Sequence, residues 1–81
     1  MRGVSYVIFG KSGCVYCEKA RELLESHGIS YIYNSVDDPK DLFGMQELVF
    51  KKTGIIAKTV PQIFKDGEHI GGFTDLEKLI P

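Results

Sequence analysis

The chain is most informative in what it has little of. Its 81 residues contain two cysteines and two histidines, and no stretch approaches the roughly 20 consecutive apolar residues that a membrane-spanning helix needs. Small secreted domains held together by disulfides carry four or more cysteines, so a disulfide framework is excluded. Lys and Arg number 10 against 11 Asp and Glu, spread along the chain. With no excess of positive charge there is no electrostatic footprint for a nucleic acid. The start of the chain, Met1 to Phe9, has one basic residue and a short apolar run, but lacks the small-residue cleavage pattern of a secretory leader. A cytoplasmic location is the expectation. There is no repeat, linker or low-complexity segment.

What is present suits one domain spanning 1–81. A domain of this size buries only about 60 % of its unfolded surface, so its stability margin is narrow. Even so, 43 % of the residues are hydrophobic, five Phe and four Tyr among them, which is enough for a core.

Hydrophobic periodicity and turn chemistry divide the chain into seven elements. Ser5–Phe9 is β-branched and aromatic and reads as a buried strand ended by Gly10. The spacing predicts a helix over 15–26, with Ala20, Leu23 and Leu24 inward and Gly28 ending it. Ile29–Val36 alternates as a second strand. Asp38-Pro39 is a helix start, with Asp38 as N-cap, Pro39 at the first helical position and Asp41 in the first turn. Leu42, Met45, Val49 and Phe50 then form an apolar stripe up to Thr53-Gly54. Thr59–Lys65 and Glu68–Ile70 flank Asp66-Gly67, a two-residue hairpin signal. Thr74-x-x-Glu77 has the form of a capping box, which predicts a last helix from Asp75 to about Ile80.

The order is therefore β-α-β-α-β-β-α. A helical crossover makes the first two strands parallel, and the hairpin makes the last two antiparallel. A four-stranded mixed sheet with helices on both faces, in the α/β class, is the compact solution.

The two cysteines are three residues apart, in Cys14-Val15-Tyr16-Cys17. C-x-x-C beside a βαβ pattern reads as a redox motif. Cys14 falls just before the predicted helix, where unpaired N–H groups and the helix dipole favour a thiolate. Cys17 lies one turn on, within reach of a disulfide formed at Cys14. Cys14 is thus the exposed nucleophile and Cys17 the partly buried resolving thiol. Zinc also uses this spacing but needs two further ligands. His27 and His69 stand singly, at a helix end and in the hairpin, and both read as surface residues. No metal is expected.

Three segments, Lys11–Cys17, Thr59-Val60-Pro61 and Gly71–Asp75, resemble the signatures of the glutaredoxins, in the family's order and on matching elements. The resemblance covers essentially the whole chain. It implies the thioredoxin fold and a monomer that exchanges thiols and disulfides, with no bound cofactor and glutathione as co-substrate. Implied partners are glutathione and disulfide-bearing or glutathionylated proteins; a ribonucleotide reductase is one such candidate. Matching positions imply a glutathione site. Pro61 is expected to be cis and to face the cysteines, with Thr59 and Val60 beside it and the Val60 backbone free to pair with the tripeptide. Thr74 and Asp75 would take the γ-glutamyl end, and Gly72 would allow close approach. Lys11 and Gln46 would meet the glycyl carboxylate, and Tyr16 would shield one side.

The chain also departs from the family. Val15 stands where many dithiol members have Pro, restoring a backbone donor. The connector Gly54–Lys58 is longer than usual, and the last helix is short. Alternative roles are a reductant recycled by thioredoxin reductase, an iron–sulfur carrier as single-cysteine members are, or a non-catalytic binding module.

Overall fold

A computed structural model describes residues 5–80. The expectation placed on Met1–Val4 therefore lies outside the described residues. The elements are β1 (Tyr6–Gly10), α1 (Val15–Ser26), β2 (Tyr31–Ser35), α2 (Pro39–Thr53), β3 (Gln62–Lys65), β4 (Glu68–Gly71) and α3 (Phe73–Leu79). They form one sheet in the order β2-β1-β3-β4. β1 runs parallel to β2 and antiparallel to β3, which in turn pairs antiparallel with β4.

The pleat of the central strands splits the apolar residues between two faces. Tyr6, Ile8 and Ile63 pack with Ala20 and Leu24 of α1 and Leu76 of α3 on one side. Val7, Phe9 and Phe64 pack with Met45 and Val49 of α2 on the other. The sheet is thus sandwiched, as the element order implies. None of the helices among the described residues is long and apolar enough to cross a membrane.

Local chemistry accounts for several boundaries. The Asp38 carboxylate accepts the Lys40 N–H at 2.8 Å, with Pro39 opening α2, as the sequence predicts. The hairpin turn has φ 52° at Asp66 and 83° at Gly67, the two positive values that a type I′ turn needs. Asp66 is also bonded on both sides to Ser5, which ties the turn to the start of β1.

Four expectations need correction. Ile29 lies outside β2 because its N–H closes the end of α1 on the Leu24 carbonyl, at 2.9 Å. β3 begins at Gln62, not Thr59, because Pro61 has no N–H to give to a ladder. α3 begins at Phe73 with Gly72 as its N-cap, two residues before the expected start. There the Asp75 carboxylate accepts the Gly72 N–H at 3.1 Å, replacing the expected Thr74–Glu77 box. Finally, Phe50 is 51 % exposed, because it stands one residue, about 100° of helical turn, off the buried Met45–Val49 line.

Candidate active site

Cys14 is the N-cap of α1, and its Sγ accepts the backbone N–H of Cys17 at 3.1 Å. This is the bond a capping Ser or Asp makes at the third helical position, with sulfur in place of oxygen. A donor aimed at the sulfur, plus the positive end of the helix dipole, favours the thiolate over the thiol. Cys14 is partly exposed, whereas Cys17 is fully buried. The two are joined in a disulfide, with Cα atoms 5.2 Å apart. The asymmetry expected from the sequence, with an outer thiol and an inner one, is therefore what the fold produces.

Gly10 makes room for the inner cysteine. A Cβ at this position would meet the Tyr33 hydroxyl and, at 2.9 Å, the Cys17 sulfur. The loop after Gly10 is held from the far side of β2. Asp37 accepts both the Ser12 N–H, at 3.0 Å, and the Ser12 hydroxyl, at 2.6 Å, and the Ser35 hydroxyl at 2.9 Å. The bonds from Ser12 and then Ser35, with the Lys11 charge adding to them, hold the Asp37 carboxyl below the usual range. Its contribution to stability is then present above the unfolded value, near 3.8, and is lost as pH falls through the lower folded value. Asp37→Asn is therefore expected to lower the melting temperature at pH 7. The gap to the parent protein should close as pH falls below about 4. Melting curves across that range check this, and a gap that persists in acid would assign the effect to something other than the carboxylate.

The Val60–Pro61 peptide is cis, as expected, and the Val60 carbonyl oxygen lies 3.8 Å from Cys14 Sγ. Beside it runs a cleft of about 210 Å³ between Thr59-Val60-Pro61 and Gly72-Phe73-Thr74, closed on one side by Tyr16. The Tyr16 ring lies 5.9 Å from that of Phe73, tilted by 36°. Six of the residues marked from the sequence, namely Tyr16, Thr59, Val60, Pro61, Gly72 and Thr74, thus line one cleft next to the cysteines. Gly71 has φ 127°, and a Cβ there would strike the Asp75 carboxylate, so glycine is required both for backbone and for space.

Three marked residues stand apart from that cleft. Lys11 is exposed on the loop before Cys14. Asp75 caps α3, as described above. Gln46 donates from Nε2 to the Ala57 carbonyl at 2.8 Å, tying α2 to the connector that follows it.

Other residues of the site escaped the sequence reading. His69 is half-buried, not a surface residue: its ring packs edge-on against Phe64 with centroids 5.2 Å apart. Burial pushes its pKa below the ordinary histidine value, although the Asp75 charge opposes this. His69 and Gln62 join Lys58, Thr59 and Gly72 in lining a second cleft of about 260 Å³, which meets the first at Thr59 and Gly72. The one signal for them was their place beside the signature segments, Gln62 just after Pro61 and His69 just before Gly71.

The glutaredoxin family profile matches residues 6–70 of this chain. Glutaredoxin 1 of Escherichia coli strain K12 is 43 % identical over 72 residues, which cover 85 % of this chain and 84 % of that one. The crystal structure of glutaredoxin 1 from Francisella tularensis complexed with cacodylate is similar with a TM-score of 0.81 at 33 % identity, over 94 % of this chain and 91 % of that one. A buckwheat glutaredoxin–glutathione complex gives a TM-score of 0.74 at 32 % identity, over 90 % of this chain and 64 % of that one.

Proposed function

Because this chain belongs to the glutaredoxin family and is a thiol–disulfide oxidoreductase, we propose that glutathione is its reductant, with Cys14 as nucleophile and Cys17 as resolving thiol. The observation that carries this reading is the placement of Cys14 Sγ. It sits on a helix N-terminus, takes a hydrogen bond from Cys17 N–H and lies 3.8 Å from Val60 at the edge of a cleft.

The cycle balances as follows. The Cys14 thiolate attacks one sulfur of a disulfide and expels the other as thiolate. With a glutathione mixed disulfide, the product is Cys14 bonded to glutathione, and a second glutathione releases it as glutathione disulfide. With a protein disulfide, Cys17 displaces the substrate from Cys14 and closes the Cys14–Cys17 bond. One glutathione thiolate then attacks Cys14 and frees Cys17, and a second leaves with the first. Two glutathione thiols are oxidised for each protein disulfide reduced, and one for each glutathione mixed disulfide, whose own glutathione supplies the other half of the glutathione disulfide.

In this reading the tripeptide lies in the cleft with its cysteine sulfur toward Cys14. The Val60 backbone pairs with it in strand fashion, with Thr59 and Pro61 shaping that edge. The γ-glutamyl carboxylate meets the N–H groups of Thr74 and Asp75, the Asp75 side chain faces its ammonium, and Gly72 lets it approach closely. Lys11 draws the glycyl carboxylate, and Gln46 belongs to the same end. Tyr16 covers the sulfur. That a buckwheat glutaredoxin at 32 % identity was solved as a glutathione complex supports glutathione as the ligand.

Steady-state reduction of a small glutathione mixed disulfide is the test. With glutathione, glutathione reductase and NADPH, turnover is expected to saturate in glutathione. With thioredoxin reductase as the only recycling system, none is expected. Turnover sustained by thioredoxin reductase and not by glutathione would overturn the reading.

A further inference from the structure

Among the described residues, Gln62 is the one polar or charged residue that is buried, at 8 % exposure. Its carboxamide is engaged at both ends. Nε2 donates to the Thr59 carbonyl at 3.0 Å and lies 3.3 Å from Thr59 Oγ1, while Oε1 is 2.7 Å from His69 Nε2. Since the nitrogen end of the amide faces a carbonyl, Oε1 is the acceptor and His69 Nε2 must carry the hydrogen. That holds for the Nε2–H tautomer and for the cation alike, so protonating the ring leaves the bond intact.

Burying an amide is unfavourable unless its hydrogen bonds offset the loss of water, and an apolar residue in β3 would avoid the problem. The bonds are also aimed. They end on Thr59, in a segment, 55–61, that has neither helix nor strand to hold its backbone. One residue on is Val60, whose carbonyl lies beside Cys14 Sγ. The same chain of contacts crosses the sheet from β4 to the cleft edge, because Phe64, two residues after Gln62 in β3, is the register partner of His69.

We propose that Gln62 and His69 are positioning residues for the glutathione reaction. His69 orients the Gln62 carboxamide, and Gln62 fixes the Thr59–Val60 backbone as the edge with which the tripeptide pairs. The inference rests on glutathione being the reductant. In it neither side chain touches the sulfur chemistry. Losing the relay should weaken the use of glutathione while leaving the reactivity of the Cys14–Cys17 pair alone.

Gln62→Met keeps the length of the side chain and removes its bonds to Thr59 and His69, and His69→Phe keeps the ring against Phe64 and removes the donor. In the glutathione-coupled assay, Gln62→Met is expected to raise KM for glutathione by about tenfold, equivalent to about 1.4 kcal/mol, with kcat within about twofold. His69→Phe should raise KM by about threefold, since Gln62 still reaches Thr59. The rate at which dithiothreitol reduces the Cys14–Cys17 bond should not change in either. Ile8→Val, a change in the core cluster packed on α1 and α3, which holds neither Gln62 nor Thr59, sets the effect of lost stability alone and should leave KM unmoved. If Gln62→Met does not fold, His69→Phe against Ile8→Val carries the same comparison. Saturable glutathione dependence in the parent protein with KM unchanged in the variants would overturn the relay alone. An equal rise in Ile8→Val would reduce it to a structural effect and overturn it too. No glutathione dependence in the parent protein would overturn the relay together with the reading beneath it.

Discussion

Replacing Cys14 with Ser is expected to lower disulfide reduction by at least about a thousandfold, since the step loses its nucleophile. A serine hydroxyl at the same N-cap would still accept the Cys17 N–H, so the fold should survive while the chemistry does not. The proton explains why: at neutral pH a thiol beside a helix N-terminus ionises, and a hydroxyl does not. Cys17→Ser should behave differently. The buried sulfur acts only when Cys14 is bonded to a protein, so reduction of small glutathione mixed disulfides should persist while reduction of protein disulfides is lost. NADPH oxidation coupled to glutathione reductase reads both. Reduction that survives in Cys14→Ser would remove Cys14 from the mechanism.

The largest effect on stability is expected from Leu24→Ala. Leu24 is fully buried in α1 against Tyr6, Ile8 and Ile63. Alanine preserves the helix and isolates the effect of the cavity, which for a Leu to Ala change costs about 2–5 kcal/mol. A domain of this length has a total stability of about 4–12 kcal/mol. The melting temperature should therefore fall by about 8–40 °C. A drop of less than about 5 °C in a circular dichroism melt would mean that the α1 face of the sheet is not the principal core.

Features that depend on neighbours within one turn of chain were legible in the sequence. Asp38-Pro39 and Asp66-Gly67 were placed correctly because a cap and a two-residue turn are decided by the residues that form them. The cysteine asymmetry was legible for the same reason, since it follows from where α1 begins. Boundaries set from a distance were not. Ile29 leaves its strand for the Leu24 carbonyl, and α3 starts early because Asp75 reaches back to Gly72. The supports of the site were the least visible. Asp37 holds Ser12 across 25 residues, and His69 meets Gln62 across a hairpin whose register shifts between Ile63 and Phe64. Bonds of this kind leave no periodicity, so only the folded chain reveals them.

The cleft residues occupy an intermediate position. Thr59, Val60 and Pro61 were marked by their likeness to the family's signature. Composition and spacing alone would have left them as the entry to a strand. Gln46 was marked in the same way, and the fold gives its side chain a backbone partner at Ala57. It therefore holds the connector at Ala57, as Gln62 holds Thr59 just after it.

The central claim is that glutathione forms its bond with Cys14, and the Cys17→Ser protein tests it most directly. Without a resolving thiol, the adduct formed from glutathione disulfide has no internal path to release. Intact mass spectrometry followed by peptide mapping should then show one glutathione per chain, attached at Cys14. The adduct should disappear when glutathione reductase, glutathione and NADPH are added. A chain that stays unmodified, or that carries glutathione on some residue other than Cys14, would contradict the account.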